Sequence, residues 1–222
     1  MGAGARVGAG GTGHRERITD RGSTTRLVRR ASIDEVVPVA GLLARAFAED
    51  PIERWCLECD DPTGLIELEL LQATRQLATN GWLWVTEDSS GAAAWLPPGA
   101  SYDDEAIDAV VGPALAAHGG RPERQIRFWS WVDGRRPAAA HWYVDLVAVD
   151  PDRRGSGVGR LLLADGLARV DALGQPSFLV TGNPRTVPWY ERHGFVIQSE
   201  AQAPEAGPRV WFMYRRPSAP RT

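Results

Sequence analysis

The sequence predicts an α/β fold: a mixed, mostly antiparallel twisted sheet flanked by helices, in a single domain. Three observations predict it. Apolar runs of strand length alternate with segments of helical period. The first half holds two such runs joined by a short polar turn, as a hairpin requires. The second half holds a strand, a glycine turn, a helix and another strand, the frame of a parallel crossover. A chain of 222 residues with 43% hydrophobic residues has enough apolar surface for one sizeable core.

The elements follow in order. Met1 to Thr24 are Gly-rich, polar and without an apolar stripe, and read as a flexible tail. Residues 25–217 form the domain, and 218–222 a short second tail. "RLVRR", from Arg26, is a short strand. Ser32 with Glu35 three residues on resembles a capping box, and Val36, Val39, Ala40, Leu43 and Phe47 recur at helical spacing, so a helix runs from Ile33 to Ala48. Pro51 breaks it, an irregular or helical piece follows around Trp55, and a second helix spans Thr63 to Thr79. "WLWVT" and "AAAWL" form the hairpin across "EDSSG". Asp103 to Ala117 and Arg121 to Trp131 are further helices, although the aromatics of the latter also suit a strand. "HWYVDLVAV" is a strand, Gly159 to Leu173 a helix and "SFLVT" a strand. "NPRTVPWYERHG" is a loop and short helix, and "FVIQSE" and "RVWFMYRR" are the closing strands.

Composition excludes several function classes. The net charge of −3, with both signs interspersed, argues against a nucleic-acid groove or a polybasic membrane anchor. All 25 basic residues are Arg, which rules out a Lys Schiff base and a P-loop lysine. No apolar segment approaches the roughly 18 residues that span a bilayer, and no secretory signal is visible, so a cytoplasmic location is expected. Cys56 and Cys59 form a lone C-x-x-C whose histidine neighbours are far away in sequence; reduced thiols on a helix are expected, and no metal.

The chemistry concentrates at "VDPDRRGSGVGR". A strand that ends in a glycine turn and opens a helix points free backbone N–H groups at one spot, with the helix dipole behind them, which suits phosphate. Arg153, Arg154 and Arg160 add charge there. The spacing fails the dinucleotide fingerprint, because Arg160 stands three positions after Gly157. It fits R-x-x-G-x-G from Arg154 to Gly159.

In that motif the sequence resembles the GNAT acyltransferase superfamily, whose glycine loop cradles the pyrophosphate of coenzyme A. "NPRTVPWYERHGF" is similar to the superfamily's other hallmark through Asn183, Tyr190, Glu191, Gly194 and Phe195. Within the superfamily the chain resembles puromycin N-acetyltransferase and its bacterial relatives over roughly Arg26 to Pro217, more loosely between Cys56 and Gly134.

The resemblance implies acetyl-CoA as co-substrate and acetylation of a small-molecule primary amine, plausibly an antibiotic such as puromycin, by direct transfer through a tetrahedral intermediate. Leu146, Val147, Ala148 and Val149 would pair with the pantetheine arm, with an N–H near Leu146 or Val147 polarising the thioester carbonyl. Arg154, Gly155, Ser156, Gly157, Val158, Gly159 and Arg160 would hold the pyrophosphate, and Asn183 the pantetheine. Tyr190 is the general-acid candidate, since a phenol of pKa about 10 stays protonated at neutral pH; packing on a short helix is the alternative.

The base is open. On a regular strand His141, Tyr143 and Asp145 share one face, and Trp142, Val144 and Leu146 the other. Asp145 is a carboxylate in an otherwise apolar strand, which suits a base or amine ligand or, alternatively, a structural hydrogen bond. The puromycin enzyme's matching strand is apolar at this point, so the resemblance does not confer the role. His141 lies about 13 Å from Asp145 at roughly 3.3 Å per residue, too far for a close dyad. Glu49 and Asp50 are alternatives for binding a cationic amine. Trp55, Trp82, Trp84, Trp95, Trp129 and Trp131 suit either an aromatic acceptor pocket or core packing. The partners expected are a small amine and, as an assembly, a homodimer, with no nucleic acid and no membrane. A protein or peptide N-terminal or lysine acetyltransferase, and a non-catalytic acyl-CoA-binding module, are the competing functions.

Overall fold

The structure is a computed structural model and describes residues 28–59 and 62–218. The expected N-terminal tail, the first residues of the expected first strand and the last four residues lie outside them.

Among the described residues, seven strands form one sheet in the order β1-β2-β3-β4-β5-β7-β6. β1 (Val28–Arg30), β2 (Leu83–Thr86), β3 (Gly91–Leu96) and β4 (Trp142–Val149) pair antiparallel in turn. β4 pairs parallel with β5 (Ser177–Thr181) through the crossover helix α6 (Val158–Ala172). β6 (Val196–Gln202) and β7 (Arg209–Arg215) close the sheet antiparallel, β7 being inserted beside β5.

Two apolar layers cover the sheet. One face packs against α1 (Val36–Phe47), α2 (Pro51–Cys56), α3 (Pro62–Thr79), α4 (Asp104–Ala117) and α5 (Pro122–Asp133), with Leu43, Leu77, Phe128 and Phe178 fully buried. The other packs against α6 and α7 (Val187–Glu191) around Trp95, Leu162, Leu163 and Phe195. Burying each such side chain contributes about 1.5–3 kcal/mol.

Local signals explain most boundaries. Ser32 donates its backbone N–H to the Glu35 carboxylate at 2.9 Å, which completes the capping box, although the first turn is 3-10 and the α-helix proper begins at Val36. Asp50 caps α2 by accepting from the N–H groups of Ile52 (2.9 Å) and Glu53 (3.4 Å), so the piece around Trp55 is helical. α5 is a helix despite its aromatics because Arg124, Gln125, Phe128 and Val132 are buried at helical spacing. Both cysteines are free; Cys56 is buried at the end of α2, and Cys59 lies beyond the helix instead of on it.

One expectation fails in β4. Ala94 pairs with Leu146 and Trp95 with Val144, so Asp145 is the extra, unpaired residue of a β-bulge. The bulge shifts the alternation by one. Leu146 and Ala148 join Tyr143 on the α1–α5 face, while Val144, Val147 and Val149 lie on the α6 face. Leu146 therefore does not share a face with Trp142 and Val144.

Candidate active site

The parallel pairing of β4 and β5 lasts only from Trp142↔Ser177 to Tyr143↔Phe178. β5 continues along β7 to Thr181 and β4 along β3 to Val149, so the two strands splay and the β5-facing edge of β4 beyond Tyr143 has no ladder partner. A cleft of about 720 Å³ opens there. Its walls are β4 from Asp145 to Val149 and the stretch from Val180 to Asn183. An unpaired strand edge inside a cleft is a set of backbone donors and acceptors ready for an extended amide-bearing chain.

The glycine turn closes the cleft at the C-terminal end of β4. Gly155 (φ +77°) and Gly157 (φ +86°) adopt left-handed backbone that side chains disfavour, and Gly157 is the residue before the first turn of α6. A Cβ at Gly159 would approach the Val149 side chain to 3.3 Å and that of Trp189 to 3.6 Å, so a side chain there would press on the strand and require Val149 to shift by a few tenths of an ångström. Arg154, Gly155, Gly157, Val158, Gly159 and Arg160 all line the cleft. Arg154 is anchored by donating to the Ala46 carbonyl at 3.0 Å, which ties the turn to the end of α1. Ser156 stands outside the lining set and turns its hydroxyl back to the Arg153 carbonyl at 2.5 Å. Asn183 lines the opposite wall and accepts from the Arg185 N–H at 3.0 Å, an Asx turn that orients the loop before α7. These residues fit a nucleotide thioester: positive charge and bare N–H groups at one end, an open strand edge along the arm.

At the other end stand the two candidate catalytic groups. Tyr190 lines the cleft, its ring held edge-on by Trp189 (4.8 Å) and Phe195 (5.8 Å). Burial, reinforced by the negative charge of Asp50, pushes its phenol up, so it stays protonated across the neutral range. Asp145, presented by the bulge, accepts a hydrogen bond from the Tyr102 hydroxyl at 2.6 Å. Burial pushes Asp145 up to about 6, against the lowering effects of Tyr102 and Arg136, so it is mostly ionised at neutral pH yet basic enough to take a proton.

Beyond Asp145 a second cavity of about 250 Å³ adjoins the cleft and shares Phe47, Glu53, Trp129, Tyr143, Asp145 and Leu146 with it. Of the six tryptophans that suit an aromatic pocket by sequence, only Trp129 lines either cavity among the described residues. Trp95 is core, Trp84 lies under Arg169 (4.3 Å), and Trp55 and Trp131 pack on Phe128. Glu49 and Asp50 both line the cleft, but Asp50 is engaged as the α2 cap, and Glu49 forms an exposed ion pair with Arg54 at 3.1 Å. His141 packs against Phe178 at 5.3 Å and lines neither cavity.

Sequence reasoning missed Tyr102, Glu53, Glu69 and Arg185. Glu69 did leave a signal, since it falls on the apolar stripe of α3 with Leu65, Ile66 and Leu70. Tyr102 left none, because its partner is 43 residues away. Among the described residues no group of three or more His, Cys, Asp or Glu is arranged to hold a metal ion, and no helix is long and apolar enough to cross a membrane.

The family model for the GNAT acetyltransferase domain matches residues 114–197, which contain β4, the glycine turn, α6, β5 and α7. Over these residues the chain is similar to that domain. The chain is 28% identical over 154 residues to the mycothiol acetyltransferase of Acidimicrobium ferrooxidans. The match takes in 65% of this chain and 49% of that protein, so the chain spans about half the length of the curated relative it matches. Among solved structures, a histone acetyltransferase-related acetyltransferase from Corynebacterium glutamicum superposes with a TM-score of 0.65 at 27% identity, over 89% of this chain and 99% of that one. The Drosophila melanogaster polyamine N-acetyltransferase, which forms N-acetylagmatine, superposes with a TM-score of 0.60 over 86% and 99%; at 16% identity it shows the fold alone.

Proposed function

We propose that the protein is a GNAT-type acetyltransferase that moves an acetyl group from acetyl-CoA directly to the primary amine of a small molecule. The observation that carries this reading is the splayed β4–β5 pair, whose cleft runs from the glycine turn to Asp145 and Tyr190 and there meets a second, separate cavity for an acceptor. Acetyl-CoA supplies an activated thioester. Asp145 takes a proton from the acceptor ammonium, and the free amine attacks the thioester carbonyl, whose oxygen is polarised by the strand-edge N–H groups near Leu146 and Val147. The C–N bond forms, the C–S bond breaks, and Tyr190 donates its proton to the departing thiolate. The nitrogen loses its remaining excess proton to solvent, and the phenol is restored.

The size of the second cavity supports a small acceptor over a protein chain. Puromycin is the specific acceptor suggested by the sequence resemblance. The test is mass detection of a product heavier by roughly 42 Da, an acetyl in place of a hydrogen, across a panel of puromycin, aminoglycosides, polyamines, amino acids and peptides. Acetyl-CoA binding without product on any amine would favour a binding module instead.

A further inference from the structure

The second cavity is lined by Glu53, Glu69, Asp104, Asp108, Asp133 and Asp145, and by a single cation, Arg136. Arg136 is already engaged: it lies 2.8 Å from Asp133 and its guanidinium sits over the Tyr143 ring at 4.1 Å. Asp104, Ile107 and Asp108 reach the cavity from one face of α4, at the i, i+3, i+4 spacing.

Glu69 gives an independent sign. One of its oxygens accepts from Gln125, while Oε2 is buried with no hydrogen-bond partner. A buried carboxylate oxygen without a donor is costly, and an N–H brought in by a ligand removes that cost. Burial and the nearby Asp108 push Glu69 up to about 7, the response of a carboxylate that lacks a cation. Between the charges the lining is apolar, with Leu70, Leu96, Ile107 and Trp129 suited to methylene groups. The volume equals that of about eight water molecules at ~30 Å³ each, enough for a short chain.

Resting on the amine-acetylation reading above, we infer that the acceptor is a dication: an alkyl diamine or aminoalkyl guanidine whose reacting amine meets Asp145 and whose second cationic group is held by Glu69, Asp104 and Asp108. A monocation would leave that second set of carboxylates unpaired.

The test is calorimetric titration of the full chain, in the presence of CoA, with 1,4-diaminobutane, 4-aminobutylguanidine and the monocation 1-aminobutane. A dication should bind about tenfold or more tightly than the monoamine. That preference should shrink towards unity in the double variant Asp104→Asn/Asp108→Asn and fall in Glu69→Gln, which keeps the shape and the neutral hydrogen-bonding capacity of the side chain. Equal affinity for dication and monocation, no detectable dication binding at millimolar concentration, or a preference that survives in both correctly folded variants overturns the inference. Product formation is scored separately by mass: a dication that binds with preference but is never acetylated counts against the proposed function, not against the site.

Discussion

On the proposed function, the two halves of the cleft bind by different means. The coenzyme half, from β4 to α7, uses backbone: a strand edge freed by splaying, and a turn whose glycines at 155, 157 and 159 leave N–H groups uncovered. The acceptor half uses side chains carried by α2, α3, α4, α5 and β4, brought together from residues as far apart as Glu53 and Asp145. Backbone recognition needs a particular local conformation and tolerates few residue types at the turn. Side-chain recognition needs only the right groups at the right place, so the same scaffold accommodates a different acceptor by changing α3 and α4, which do not line the first cleft.

Predictions that break or sharpen this contrast run from large effects to small. Asp145→Asn should lower kcat/KM for the acceptor by about 10²–10⁴-fold, the usual contribution of a general base, with acetyl-CoA affinity kept; stopped assays with mass detection read it. In the native enzyme kcat/KM should fall as pH drops through about 6, where Asp145 protonates, and that limb should vanish in the variant. Tyr190→Phe should cut kcat by about 10- to 100-fold while the acetyl-CoA Kd from calorimetry stays within about twofold. A kcat equal to that of the native enzyme would reduce Tyr190 to packing.

Gly157→Val tests the backbone half. At φ +86° a branched side chain costs about 1–2 kcal/mol and covers the turn, so acetyl-CoA affinity should drop by about tenfold or more, whereas dication affinity measured without coenzyme should hold. Equal losses on both ligands would show that the halves are not separate. Tyr102→Phe removes the hydrogen bond that lowers the Asp145 pKa, so the acid limb should move upward by less than about one unit.

The smallest effect is on stability. Asp145 is raised in the fold from 3.8 to about 6, so between those values the folded state holds more protons than the unfolded one and stability declines as pH rises. Above pH 6 the ionised, buried carboxylate is a full burden. Asp145→Asn should therefore raise Tm by a few degrees at pH 8, at roughly 2–4 °C per kcal/mol for a chain of this size, and change it little at pH 4.

The coenzyme half was legible because its determinants are local. The glycine turn, the apolar strand before it and the Asn183-to-Phe195 stretch each sit in one run of sequence, and the conformation they require is written in residue types that few other conformations need. The elements of the acceptor half were equally legible as helices, since 3.6-residue periodicity is also local. Their meeting was not. Asp145 stands out in sequence as an odd carboxylate in an apolar strand, but sequence alternation implies a regular strand, and the bulge that presents Asp145 exists only through the register against β3. The Tyr102–Asp145 hydrogen bond, the convergence of Glu53 and Glu69, and the position of Trp129 depend on how α2 to α5 pack over the sheet. Which segments are strands and helices, and where the glycine turn between strand and helix lies, follows from the sequence alone, because those features depend on short-range sterics and periodicity. Only the tertiary structure decided which carboxylates share a cavity, because charge placed across a fold is set by packing between elements and leaves no spacing to read.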